Sequence, residues 1–366
     1  MDNIRENLSD FIIDEKGNEL LFLLIKYRIE YDIEKHVQEL NDFRKTRRAL
    51  ASKQNAFFDK LKRKNVDRKD KRIRQDMRQK RAWLAAGLRS ASKNIEESKL
   101  GLTGDSLVQE IKLIVASFQT DPALRLKLFL ILQEAILTPI FSANEEMKLP
   151  DAPKEKYPKL SQEALSKLCG FQPEMGKQIY KDTTKFINDC AELWKKVFKY
   201  SVYGTAVAVL AAGVLTPTIA VSIGSLMGLK GAAAYTAGLA FLGFGSIASG
   251  GFGMAGGLTV LIGGGALLGL SGGSGVAVAI SKMSKEAIAV SVAKIANYAR
   301  FLSEDLGSGR SDMKPMESLK RIKREFVRLK YNFESDLLLQ EQDLDSKKNA
   351  STLNILHKAL ERLIES

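Results

Sequence analysis

From Glu19 onward, apolar side chains recur three and four residues apart: Phe22, Ile25, Ile29, Ile33, Val37 and Leu40. Phe43, Leu50 and Phe57 continue the line at intervals of seven. This spacing predicts one long helix with a packed face, entered from a short lead-in that turns at Gly17-Asn18. After the break at Gly101 and Gly104, the stripe Leu107, Ile111, Ile114 and Val115 predicts a helix through Phe118, capped by Asp105 or Ser106. Thr120-Asp121-Pro122 pairs a cap residue with a proline suited to the first helical position, so a helix is expected from Ala123 to Leu137. Leu124, Leu126 and the unbroken Leu128 to Leu132 mark it as the central helix of a small bundle. Pro139, Pro150, Pro153 and Pro158 predict a linker across residues 144–160. Ser161 is the expected cap of a short helix to Cys169. Pro173 should open the next, which passes Tyr180, Phe186, Trp194 and Phe198.

At Ser201 the pattern changes altogether. The 81 residues to Ser281 hold one charged side chain, Lys230, and 20 of the chain's 28 glycines. A bilayer span needs only ~20 apolar residues. Thr205 to Gly228 suffices for one helix across the hydrocarbon, and Ala232 to Ser249 for a second. Met254 to Ile280 would lie re-entrant or against that pair. Glycines four apart share a helical face and let a second backbone approach closely. Gly224 with Gly228, Gly253 with Gly257, and the ladder Gly265, Gly269 and Gly273 are therefore the candidate packing positions. Lys230 belongs at the far turn, because a lysine at the bilayer centre costs ~3 kcal/mol. Lys195, Lys196 and Lys199 precede the run and Lys282 and Lys285 follow it, which places both ends on the cytoplasmic side. Trp194, Tyr200 and Tyr203 suit either an interfacial belt or ordinary core. A buried hairpin inside a soluble bundle is the competing account of the whole run.

Beyond the run, Ala287, Val290, Val292, Ile295 and Tyr298 predict an amphipathic helix ending near Leu306-Gly307. Pro315 then opens a long helix whose seam is Leu319, Ile322, Phe326, Leu329 and Phe333. Leu353, Leu356, Leu360 and Leu363 repeat the spacing, and the two seams could fold back near Lys347-Lys348-Asn349 or pair with the N-terminal helix. The fold class is thus all-α, with long helices and a bundle flanking a glycine-rich hydrophobic membrane hairpin, and a coiled-coil-like C-terminal helix. Four units follow: 1–104 with a basic arm, 105–200 a small bundle, 201–281 the membrane-inserting region, and 282–366 the C-terminal helices.

Charge sharpens the first unit. Between Arg44 and Arg81 lie 17 Lys and Arg against four Asp, a net of +13, which equals the net charge of the whole chain. Lys60, Lys62, Arg63, Lys64, Arg68, Lys69, Lys71 and Arg72 are the candidate anion-binding residues. A helix polar almost all round projects into solvent or meets a charged partner. Anionic lipid headgroups and nucleic acid would both supply that partner. Aromatic residues are nearly absent from the stretch, with Trp83 just beyond it, so nucleic acid is the weaker fit.

Catalytic signatures are missing from the pattern. His36 and His357 stand alone on helices, and Cys169 and Cys190 have no metal-ligand spacing, so reduced, partly buried thiols are expected. Gly251 to Gly256 matches a dinucleotide-binding spacing without a βαβ context or a following acid. Neither enzyme nor cofactor is expected. The polar opening Met1 to Asn7 predicts no secretory signal, which suits cytoplasmic synthesis and delivery to a membrane. In layout the chain resembles α-helical pore-forming proteins, which hide such a hairpin in a soluble bundle until triggered. The expected function is bilayer insertion, oligomerisation and permeabilisation, constitutive or triggered. The alternative is a membrane-anchored scaffold that tethers a protein partner, nucleic acid or an anionic surface. A channel or transporter subunit fits less well, since Lys230 alone is ionisable within the run.

Overall fold

The computed structural model describes residues 14–51, 56–91, 96–138, 140, 155–198, 285–307, 313–338, 350–355 and 357–358. Among them every regular element is helical, so the chain is all-α there. The apolar run with its glycine pairs and Lys230 lies outside the described residues, as do the linker positions 141–154.

Helix α1 (Glu15–Ala51) begins earlier than the periodicity implies. Asp14 is its cap: the Gly17 amide donates to the Asp14 carboxylate at 2.8 Å, so Gly17-Asn18 is a first helical turn. Helix α2 (Ala56–Ala91) runs back antiparallel to it, as Leu40 meets Ile73 and Met77 while Ile29 and Ile33 meet Trp83. After the single turn α3 (Glu97–Leu100) comes α4 (Gly104–Phe118). Its cap is Thr103, whose amide donates to the Ser106 hydroxyl at 3.2 Å, so Ser106 serves the cap from the third position.

Helix α5 (Pro122–Leu137) starts as expected, with the Ala123 amide donating to Asp121 at 2.7 Å. From Leu128 onward every residue of α5 is buried, which makes it central to the core. Helix α6 (Pro158–Leu168) starts at Pro158, three residues before Ser161, because proline's fixed φ suits the first helical position. Ser161 instead donates to Glu155 and the Pro158 carbonyl. Gly170, at φ +72°, ends α6 in the left-handed region that favours glycine, and the Phe171 amide bonds back to the Ser166 carbonyl at 2.9 Å. Helix α7 (Glu174–Phe198) crosses α6 at Gly176, where an added Cβ would lie 2.5 Å from the Gln162 carbonyl oxygen.

Helix α8 (Lys285–Gly307) departs from the amphipathic expectation: Ile288 to Val292 and Ala293 are all buried, as are Lys294 and Asn297. It is a second central helix, packed against α5, α7 and α9 (Met313–Leu338). Phe301 of α8 stacks on Phe129 of α5 at 4.1 Å between centroids, with Phe171 edge-on at 5.9 Å from Phe301. The α9 seam, Leu319, Ile322, Phe326, Leu329 and Phe333, is buried throughout. Residues 350–355 return to this core: Leu353 is buried, and the His357 ring lies 6.3 Å from that of Phe326.

Candidate functional site

Two regions hold the chemistry that the sequence singles out. The first is the α1–α2 hairpin. Its apolar contacts form two small clusters separate from the main core, one around Leu40, Ile73 and Met77, the other around Ile29, Ile33, Trp83 and Ile140. Between them lies a polar clamp that single-residue inspection of the sequence misses.

Asp32 of α1 is fully buried and accepts the Lys80 ammonium at 2.5 Å. Its other oxygen accepts the backbone amides of Lys156 and Tyr157, each at 2.9 Å. His36, one turn on and 1 % exposed, places Nδ1 2.8 Å from the Asp32 carbonyl and Nε2 2.7 Å from the Asp76 carboxylate. Both ring nitrogens thus face an oxygen, and His36 bridges α1 to Asp76 of α2. Lys80 completes the group with Asp76 at 3.0 Å. The buried Lys80 ammonium is thus shared by the Asp32 and Asp76 carboxylates, so it is paired, as burial requires. A second buried cation, Arg28, donates to the carbonyls of Ala135, Ile136 and Thr138 at 2.8 to 2.9 Å and pairs with Glu155. These contacts pin residues 155–157 to α1 and tie the end of α5 to the hairpin's base.

The candidate anion-binding residues divide. Lys60, Lys62 and Arg63 lie on the backbone of α2, with side chains outside the described set. Lys64, Arg68, Lys71 and Arg72 are exposed. Lys69 belongs to the hairpin: its ammonium sits 4.3 Å from the centre of the Phe43 ring and 4.0 Å from Glu39. Lys80 is buried in the clamp, and Arg74 pairs with Asp70 at 2.7 Å. Arg78 and Arg81 are exposed and join the basic surface. Trp83 is only 6 % exposed, so its indole serves the hairpin's apolar contact.

The second region is where the apolar run leaves and rejoins the described body. Phe301 meets Phe171, just before α7, while Asn297 donates to Thr183 Oγ1 at 2.8 Å and Arg300 pairs with Asp182 at 2.6 Å. Rising numbers on α8 therefore match falling numbers on α7, and the two helices are antiparallel. The end of α7 and the start of α8 face the same way. A buried pair, Lys294 with Glu134 at 2.6 Å, locks α8 to the central α5.

Cys169 and Cys190 are unpaired and buried. Burial pushes the Cys169 thiol far up and that of Cys190 up to about 12, with Asp189 adding to the latter. Among the described residues no cluster of three His, Cys, Asp or Glu could hold a metal ion. No described helix is long and apolar enough to cross a membrane. No family model, curated protein or solved structure matches the chain.

Proposed function

We propose that the chain inserts its apolar run into a bilayer and, as a homo-oligomer, permeabilises it. The antiparallel packing of α7 on α8 carries this reading. It sets Phe198 and Lys285, the described residues that flank the run, towards one end of the helical body, the arrangement a hairpin would need to enter a membrane from one side without opening the core. Lys195, Lys196 and Lys199 before the run, with Lys282 and Lys285 after it, agree with both ends remaining cytoplasmic. Within the bilayer the ladder Gly265, Gly269 and Gly273 would pack copies together, and Gly224, Gly228, Gly253 and Gly257 would pack the spans. Lys230 would stand at the far turn. No catalysis is assigned.

The test is dye release from neutral and anionic liposomes by the purified protein. Release that Gly269→Leu lowers together with oligomerisation, while leaving membrane association intact, is the expected result. Binding without release under any trigger gives the lead to a permanent anchor. One observation favours that second reading: Met316, Val327 and Tyr331 are 41, 44 and 69 % exposed on α9. Their spacing puts them on one helical face, where a protein partner of an anchored scaffold would dock.

A further inference from the structure

We infer that the outward row of α2 is a docking surface for anionic phospholipid headgroups, which lays the hairpin along the membrane that the proposed function invokes. The row is Lys64, Arg68, Lys71, Gln75 and Arg78, at successive spacings of four, three, four and three. Residues so spaced share one helical face. All five are exposed, and no described residue pairs with the four cations. At ~1.5 Å per residue the row is about 21 Å long.

Two of the acids near this face are already engaged. Asp76 turns inward to His36 and Lys80, and Asp70 is held by Arg74. Asp67 is exposed three residues from Lys64 and four from Lys71, and it borders the row. Lys80 is buried on Asp32, and Lys69, though exposed, leans over the Phe43 ring beside Glu39. Four cations against the one bordering carboxylate, Asp67, leave this face net positive. A run of four to eight basic residues on a helix suits an anionic bilayer surface, where each adds attraction that decays within a Debye length. A single-stranded nucleic acid would want aromatic faces for its bases, and the nearest indole, Trp83, is buried against Ile29 and Ile33 of α1.

The full-length protein is tested by cosedimentation with vesicles of phosphatidylcholine alone and of phosphatidylcholine mixed with phosphatidylserine, and by binding to a DNA duplex. Lys64→Gln with Lys71→Gln and Arg78→Gln should weaken binding to the anionic vesicles on the order of 100-fold, about fivefold per charge. The same variant should keep wild-type binding and dye release on neutral vesicles, which report the apolar run alone. Lys16→Gln with Lys112→Gln and Lys159→Gln removes equal charge from exposed sites on other helices and should leave anionic binding within about fivefold. Equal losses in the two variants would overturn the inference, as would a wild type that binds both vesicles alike. Loss of duplex binding with vesicle binding unmoved would hand the row to nucleic acid. Failure of the wild type to bind or permeabilise any vesicle sinks the insertion reading instead, and this inference with it.

Discussion

Asp32 is the residue on which the hairpin's base depends, since one carboxylate serves a lysine and two backbone amides. Removing one member of a buried ion pair leaves the rest uncompensated, at a cost of about 3 to 5 kcal/mol. Asp32→Ala should therefore lower the unfolding free energy by that much, read as an earlier midpoint of chemical denaturation, whereas Asp42→Ala, exposed on the same helix, should change it little. Glu39 gives the pH dependence. Burial pushes its carboxyl up, but hydrogen bonds from Lys156 and Tyr157 and the charges of Lys156 and Lys69 outweigh that and hold it below its ordinary 4.5. A group lowered on folding contributes stability that is whole above its unfolded pKa and lost as pH falls through the folded one. The grip of residues 155–157 on α1 should thus be complete at neutral pH and loosen once the solution is more acid than 4.5. Hydrogen exchange at Tyr157 measures it, and Glu39→Gln should flatten the profile. The two thiols make a third residue-scale expectation. Both are buried, and their pKa values are raised, so a thiol reagent should react slowly with the native chain and titrate both after denaturation.

At the scale of elements, the α6–α7 crossing depends on a missing methyl. The Gly176 amide donates to Ser166 Oγ at 2.8 Å, and the backbones approach so closely that a Cβ would meet the Gln162 carbonyl. Gly176→Ala gains up to ~1 kcal/mol in helix propensity, but the contact is with backbone and cannot swing aside. A net loss of about 1 to 3 kcal/mol is expected from the overpacking, read as a lower melting temperature. Such local signals were unevenly legible in the sequence. Asp121-Pro122 announced α5 because a cap and a proline act on the backbone beside them. The α9 seam showed its buried face, although spacings of three and four mark any packed stripe, and its described partner is α8 of the same chain. The amphipathic reading of α8 failed because a helix gripped on several sides buries its lysine and asparagine too, with Glu134 and Thr183 waiting on helices far along the chain. The clamp was illegible for the same reason. Asp32 and His36 on one helix, and Asp76 and Lys80 on another, each look like ordinary solvated charge until the hairpin pairs them.

For the whole molecule, the antiparallel α7 and α8 turn a charge argument into a geometric one. If both ends of the run leave from one end of the body, the run crosses the bilayer an even number of times, and two crossings suit Thr205 to Gly228 and Ala232 to Ser249. Lys230 would then reach the far side, while Arg310, which follows α8 in sequence, would remain on the near side. In a background of Cys169→Ala and Cys190→Ala, single cysteines at 230 and 310 should label from opposite faces of sealed vesicles carrying the inserted protein. An impermeant reagent added outside should modify position 310 first and position 230 only after the vesicles are opened. Equal labelling from outside would place the lysine turn on the near surface. The run would then lie on the membrane or in the core without crossing, and permeabilisation would need another agent within the chain. The two-crossing result, joined to a dye-release defect in Gly269→Leu, would leave the stretch from Met254 to Ile280 as the part where copies meet.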